Sequence, residues 1–311
     1  MSVYSPSQIE AIEQFSCLGA RCTVVVQGDG PAGPAYEAAA LARRRMEVWH
    51  DQLTRFEPDS DLSMANRDPR QTVPVSAMMA LFAEAALSAA EATGGLVDPT
   101  LASEIENAGY AGDYASVPLP LGDALRLAPE RRAARPNPGA RWRAVKVDAV
   151  ARKLTRPPGV RLDSGGIAKG LCADLLATVL GAYSSFAVDA GGDLRVGGTA
   201  GIPRPIRVAS PFGGDALHTF ELTGGAAATS GISKRSWLDR DGRPAHHLLD
   251  PATGKPAFTG LVQVTALAPT ALEAEALSKA ALLSGPDGAE RWLRHGGLIV
   301  REDGSFEALL P

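Results

Sequence analysis

A chain of 311 residues that is 45% hydrophobic and 21% charged can bury a large core, and it does not read as disordered. A formal charge of -4 excludes the basic excess expected of a nucleic-acid binder. Every apolar run is broken by Gly, Asp or Arg well before the roughly 18 residues that a membrane span needs, so an integral membrane protein is not expected.

Met1 to Phe15 carries Glu10 and Glu13 and lacks a basic start followed by an apolar stretch, so it does not read as a secretory signal. Thr23 to Val26 is a β-branched run and reads as a strand. Pro34 to Thr54 has helix formers with apolar residues at helical spacing, Leu41, Val48 and Leu53 among them. Phe56 to Asn66 is polar and contains Pro58, which predicts a loop. Val75 to Ala92 reads as a helix with Ser76 as its cap, and Gly94 to Thr100 as a turn-rich loop. Pro118 to Pro138 is rich in Pro, Arg and Ala and reads as a variable insert (about 118–140) with one short helix. Ala144–Val150 and Lys153–Arg156 suggest a hairpin. Asp163 to Leu180 is a Gly-Gly turn running into a helix, and Ser185 to Val196 is strand, Gly turn, strand. Pro205–Val208, Thr219–Leu222 and Gln263–Ala268 add strands, Ala271–Leu283 is a strong helix, and Arg291 to Glu307 closes with a short helix and a strand pair around Asp303-Gly304. The expected fold class is α+β in a single large domain spanning 1–311. The cysteines, Cys17, Cys22 and Cys172, have no metal-finger spacing and suit a reducing compartment, so a cytoplasmic protein is expected.

Gly28-Asp29-Gly30-Pro31-Ala32-Gly33 matches the G-x-G-x-x-G dinucleotide fingerprint, with Asp51 about 20 residues on. Asp51, however, lies in a helical stretch where the end of a second strand is required. Pro31 also removes an N–H where phosphate needs donors. The plain reading, a strand-to-helix turn, is preferred. Asp163-Ser164-Gly165-Gly166-Ile167-Ala168-Lys169-Gly170 says more. Adjacent glycines let backbone N–H groups approach an anion, the following helix adds its positive end, and Lys169 reaches a phosphate as a point charge. On its own this run reads equally as a tight turn with a solvated lysine. Three more clusters follow: Asp189-Ala190-Gly191-Gly192-Asp193, Ala228-Thr229-Ser230-Gly231, and His246-His247-Leu248-Leu249-Asp250-Pro251-Ala252-Thr253-Gly254. Together they suggest loops converging on one polyphosphate ligand.

In this order the motifs resemble the FAD:protein FMN transferases, the ApbE family. Leu18-Gly19-Ala20 stands where the family has Met-Gly-Thr. It is followed by Phe56-Glu57-Pro58-Asp59-Ser60-Asp61-Leu62-Ser63 with Asn66, then Thr93-Gly94-Gly95-Leu96-Val97-Asp98-Pro99-Thr100, then the glycine clusters. The resemblance runs from about Phe15 to Gly285. It implies mixed sheets with flanking helices, FAD as substrate, Mg²⁺ as helper ion and a Thr-bearing flavoprotein as acceptor. It implies that Gly165, Gly166 and Lys169 shape the phosphate and flavin site, and that Asp189, Gly191 and Gly192 line the flavin pocket. Ser63 and Asn66 would lie by the cleft, Asp98 and Thr100 near the adenosine end, and Thr229 and Ser230 against the cofactor. His247 would be the catalytic base, a role its near-neutral ordinary pKa suits, although a histidine capping a turn is the other reading. His246 would face away.

The implied metal ligands are the Ala168 carbonyl and a helix pair, an Asp and a Thr four residues on; here those positions are Glu275 and Lys279. Glu275 can bind Mg²⁺ through oxygen, whereas an ammonium cannot. Lys279 therefore assists one Mg²⁺ at the diphosphate, replaces the metal, or is half of a surface ion pair. The expected activity moves FMN from FAD to a Thr hydroxyl with release of AMP. The alternatives are a non-catalytic FAD-binding protein and a pyrophosphatase that frees FMN and AMP.

Overall fold

A computed structural model of the protein describes residues 10–110, 112 and 118–310. Its frame is an eight-stranded sheet whose strand order follows the chain: β1 (Glu10–Cys17), β2 (Ala20–Gln27), β3 (Ser185–Ala190), β4 (Asp193–Gly197), β5 (Gly225–Gly231), β6 (Leu261–Ala268), β7 (Gly297–Arg301) and β8 (Phe306–Leu309). All neighbours are antiparallel. Alternation fixes the register. Cys22, Val24 and Val26 of β2 lie opposite Ala190, Val188 and Phe186 of β3, and all six are buried.

The helices of the site enter between these strands. The long excursion between β2 and β3 supplies α1 (Ala35–Leu53), α2 (Asp61–Arg67), α3 (Ala77–Ala92), α4 (Ala102–Asn107), α5 (Leu121–Leu127) and α6 (Ala168–Leu180). After β6 comes α7 (Ala271–Ser284). α1 packs on β1 and β2, α6 on β3 and β4, and α7 on β5 and β6; α6 touches both of the others. The charge-bearing sequence of α7 is buried on nearly every side, Glu275 and Lys279 included. A helix in that position must satisfy its charges internally.

The α+β architecture agrees with the expectation, as do the helix capped by Ser76, whose Oγ accepts from Met79 N at 3.1 Å, and the 146–155 hairpin. Three elements differ. Asp61–Arg67 is helical where a loop was predicted, because Ser60 caps it by accepting from Ser63 N at 3.0 Å. Glu10–Cys17 is an edge strand whose partly exposed, charged sequence hides its period. Ala228-Thr229-Ser230-Gly231 is the end of central strand β5, where the sequence predicts a loop. Its alanines and glycines carry no strand propensity, and their small size is what lets α7 lie close. Asp51 falls inside α1, so the G-x-G-x-x-G run is a turn and not a nucleotide loop. The reading of Met1–Phe15 lies outside the described residues over 1–9.

Candidate functional site

One cavity of about 250 Å³ opens where these insertions meet. Its walls come from the β1–β2 turn, the C-terminal end of α1, residues 96–99, the 163–169 turn, Arg235, residues 247–249 and Lys279. The turn is held from several sides. Asp163 N donates to Pro99 O at 2.8 Å, and Ser164 Oγ donates to Leu53 O at 2.7 Å. Ala168 N donates to Ser164 O at 2.9 Å. Arg55 pairs with the Asp163 carboxylate at 3.1 Å while lying over the Phe56 and Tyr110 rings at 4.4 and 4.8 Å. Gly166 N–H takes part in none of these backbone bonds, whereas Gly165 N donates to Asp163 Oδ2 at 3.2 Å and Ile167 N to Ser164 O at 3.1 Å, and α6 starts two residues after Gly166. The wall therefore offers the Gly166 N–H, with the positive end of α6 behind it.

Four buried charges sit beneath that wall. Glu275 Oε1 accepts from Lys279 Nζ at 2.9 Å and lies 3.6 Å from Lys169 Nζ. Its Oε2 accepts from Gly170 N at 2.8 Å, which satisfies one open donor of α6. Lys169 also pairs with Asp193 at the start of β4. Burial alone raises the Glu275 carboxyl, but Lys279 and Lys169 overcome it and hold the group at about 2. Burial lowers Lys169, and Asp193 and Glu275 overcome that and hold it up at about 12. Asp193 is pushed up to about 6, by burial first and then by Glu275, against Lys169; it is still ionised at neutral pH. The cluster thus balances two ammonium groups against two carboxylates.

His247 also lines the cavity. It follows the short strand Pro244–His246 and precedes a turn fixed by Asp250, which accepts from Gly254 N at 2.8 Å on its carbonyl and from Thr253 Oγ1 at 3.0 Å on its carboxylate. Gly254 adopts φ +67°, and a Cβ there would come within 2.8 Å of Glu104 Cγ, so glycine is required. Burial, then Arg235, His246 and Lys279, push His247 well below its ordinary value, so the ring is neutral. Its Nδ1 is buried without a hydrogen-bond partner. Arg235 donates to Gly19 O at 2.9 Å and so ties the β1–β2 turn to this wall. Asp98 is buried with one oxygen accepting from Thr100 N and Oγ1, at 2.8 and 2.6 Å, and the other unpartnered.

Residues 18–300 match the model of the ApbE family. The chain belongs to the ApbE family. It is 31% identical over 316 residues to the FAD:protein FMN transferase of Klebsiella pneumoniae, covering 97% of this chain and 88% of that one. It is 29% identical over 267 residues to the Escherichia coli protein of the same name, covering 82% and 74%. The crystal structure of the ApbE protein from Thermotoga maritima superposes with a TM-score of 0.79 at 28% identity, covering 97% of both chains.

Among the expected site residues of this ApbE chain, Asp98, Gly165, Gly166, Ala168, Lys169, His247 and Lys279 line the one cavity. Thr100 lies behind Asp98. The others are not brought to it. Asn66 is spent on both backbone groups of Leu162, each at 2.8 Å, and with Ser63 lines a neighbouring cavity of about 220 Å³. Asp189, Gly191 and Gly192 form the β3–β4 turn, where Asp189 accepts from Gly192 N at 2.7 Å. Thr229 and Ser230 pair through their hydroxyls with Thr265 and Ser278, at 2.8 and 2.9 Å. Arg55 and Arg235 join the site with no motif to mark them, and Asp193, the last residue of the Asp189–Asp193 cluster, joins it through Lys169. His246 points into the core against Phe258 at 4.7 Å. The expected Mg²⁺ set of Ala168 and Glu275 does not fit a divalent ion. Both Glu275 oxygens are engaged, and an ammonium that cannot be a ligand stands beside them. No group of three or more His, Cys, Asp or Glu suited to a metal occurs among the described residues.

Proposed function

We propose that this chain is an FAD:protein FMN transferase. The observation that carries this reading is the convergence of the Gly166 N–H at a helix start, two held ammonium groups and a neutral imidazole on one cavity. A diphosphate needs the first two, and a hydroxyl nucleophile needs the third. In the reaction, the Thr Oγ of an acceptor flavoprotein forms a bond to the FMN phosphorus of FAD. The bond from that phosphorus to the bridging oxygen breaks, and AMP leaves with the oxygen. The hydroxyl proton passes to His247. Gly165, Gly166 and the start of α6 orient the diphosphate, and Lys169 and Lys279 offset the charge that builds on it. The free oxygen of Asp98 is an acceptor for an O–H or N–H of the adenosine end. Asp189, with the Gly191-Gly192 turn, and Thr229 with Ser230 brace the strands behind the pocket. The buried free thiols Cys17, Cys22 and Cys172 suit a reducing compartment, and we place the reaction in the cytoplasm.

The test is incubation with FAD and a Thr-bearing acceptor flavoprotein, followed by mass spectrometry of the acceptor and assay of AMP. Acceptor that gains the mass of FMN on Thr, with matching AMP, is expected. FAD held without AMP release would identify a binding protein instead. FMN and AMP formed equally without acceptor would identify a hydrolase.

A further inference from the structure

The buried cluster of α7 has a consequence that reaches beyond the transferase reading, on which it rests. Lys279 is nine-tenths buried, yet it lines the cavity, and its Cε lies 3.7 Å from where a Cβ on Gly166 would stand. The ammonium is thus carried along the glycine wall that would face a diphosphate. It is held there by Glu275 at 2.9 Å, and Glu275 is held in turn by Lys169 and by the Gly170 N–H at the start of α6. A surface Glu–Lys pair would be free to move; this one is fixed from three sides. Mg²⁺ takes oxygen ligands in a near-octahedral set and relies on carboxylates. Here the buried carboxylate of α7, Glu275, has no free oxygen, and Asp193 is taken by Lys169. A divalent ion placed at Glu275 would also face two ammonium groups, which lie 2.9 and 3.6 Å from the same carboxylate oxygen.

We propose that Lys279, positioned by Glu275, is a built-in cation for the FAD diphosphate, so that this chain binds FAD and releases AMP without a divalent metal. With Lys169 it supplies the positive charge near the breaking phosphorus–oxygen bond, as a point charge that needs no loading.

The protein is stripped with EDTA and titrated with FAD by flavin fluorescence, in EDTA and in excess Mg²⁺. Equal affinity within about twofold is expected, with AMP release on acceptor persisting in EDTA. The Lys279→Met variant is expected to lose about tenfold or more in FAD affinity under both conditions. If that variant does not fold because Glu275 loses its closest ion-pair partner, Glu275→Gln/Lys279→Met, which removes both charges, reads the same loss. Wild-type affinity that falls about tenfold in EDTA and returns with Mg²⁺ would overturn the built-in cation and leave the transferase reading standing. Unchanged FAD affinity and AMP release in a folded Lys279 variant would also overturn it. No FAD binding under any condition would overturn both readings.

Discussion

Burial sets opposite tasks for the adjacent histidines. His247 is neutral because burial, Arg235, His246 and Lys279 all disfavour its cation, which leaves it able to take a proton but a weak base in the empty site. A bound diphosphate beside Arg235 and Lys279 reverses part of that, since an anion favours the imidazolium. The acid limb of kcat, which reports the FAD complex, is therefore expected at higher pH than that of kcat/KM, which reports the free enzyme. Coincident limbs in steady-state profiles would refute this. His247→Ala is expected to slow AMP release by about 10²- to 10⁴-fold while FAD affinity changes little; comparable loss of binding would make His247 a positioning residue only. His246 is 1% exposed and is pushed down to about 3 by burial, against the Ala257 backbone. The unfolded chain takes a proton near 6.5 and the folded chain does not, so stability is full above 6.5 and falls as pH drops toward 3. His247 acts in the same direction, and Asp193, raised to about 6, acts in the opposite one between 6 and 3.8. The His246→Gln variant removes one histidine from this balance. Its stability by urea denaturation between pH 6.5 and 4.5 should fall less steeply than wild type, by at most about 1.4 kcal/mol per pH unit. Parallel curves would mean that His246 is not held neutral.

At the scale of elements, the contact between α6 and α7 places the site. Asp174 of α6 accepts from Ala271 N and Leu272 N at 2.8 and 2.9 Å, and Thr270 Oγ1 accepts from Glu273 N at 3.2 Å, so the start of α7 is capped twice. Asp174→Ala should lower stability by about 1–2 kcal/mol in urea denaturation; no change would show that Thr270 suffices. At Gly170 the two helices come close together. A Cβ there would lie 2.6 Å from Ala271 O, which is backbone and cannot swing aside. Gly170→Ala should cost about 1–3 kcal/mol and weaken FAD binding, because Gly170 N also orders Glu275. A variant as stable as wild type would show that the helices separate freely. This contact explains what the sequence could and could not reveal. Gly166, Lys169, His247 and Lys279 stand in motifs whose residue types already state a chemistry. Asp193 sat in a readable turn, but its pairing with Lys169 needs β4 beside α6. Arg55 and Arg235 have no local signal, since Arg55 becomes part of the site only when Asp163 arrives from more than a hundred residues away. Thr229 and Ser230 were legible as polar residues beside a glycine, and Asn66 as the end of a polar run. Whether such a side chain faces ligand or framework depends on strand facing and helix approach, which composition does not encode.

For the molecule as a whole, the cavity joins segments from across the chain, from the β1–β2 turn at Leu18 and Gly19 to Lys279 on α7. These walls are linked through side chains such as Arg235 to Gly19 O and Arg55 to Asp163. A ligand that touches several walls binds only the folded arrangement, so mass action makes it a stabiliser. At about 100 times its dissociation constant, FAD is expected to add about 2.7 kcal/mol to the unfolding free energy, and more at higher concentration. The effect should carry a chemical signature. Riboflavin lacks the diphosphate and cannot use the N–H wall or the ammonium groups, and AMP lacks the flavin, so each should raise Tm less than FAD at equal concentration. Added salt should shrink the FAD effect more than the riboflavin effect, because only the former rests on charge. A thermal-shift series over the three ligands reads this directly. Equal shifts from riboflavin and FAD would mean that the diphosphate makes no net contact, and the glycine turn with its lysines would then be framework, not a ligand wall.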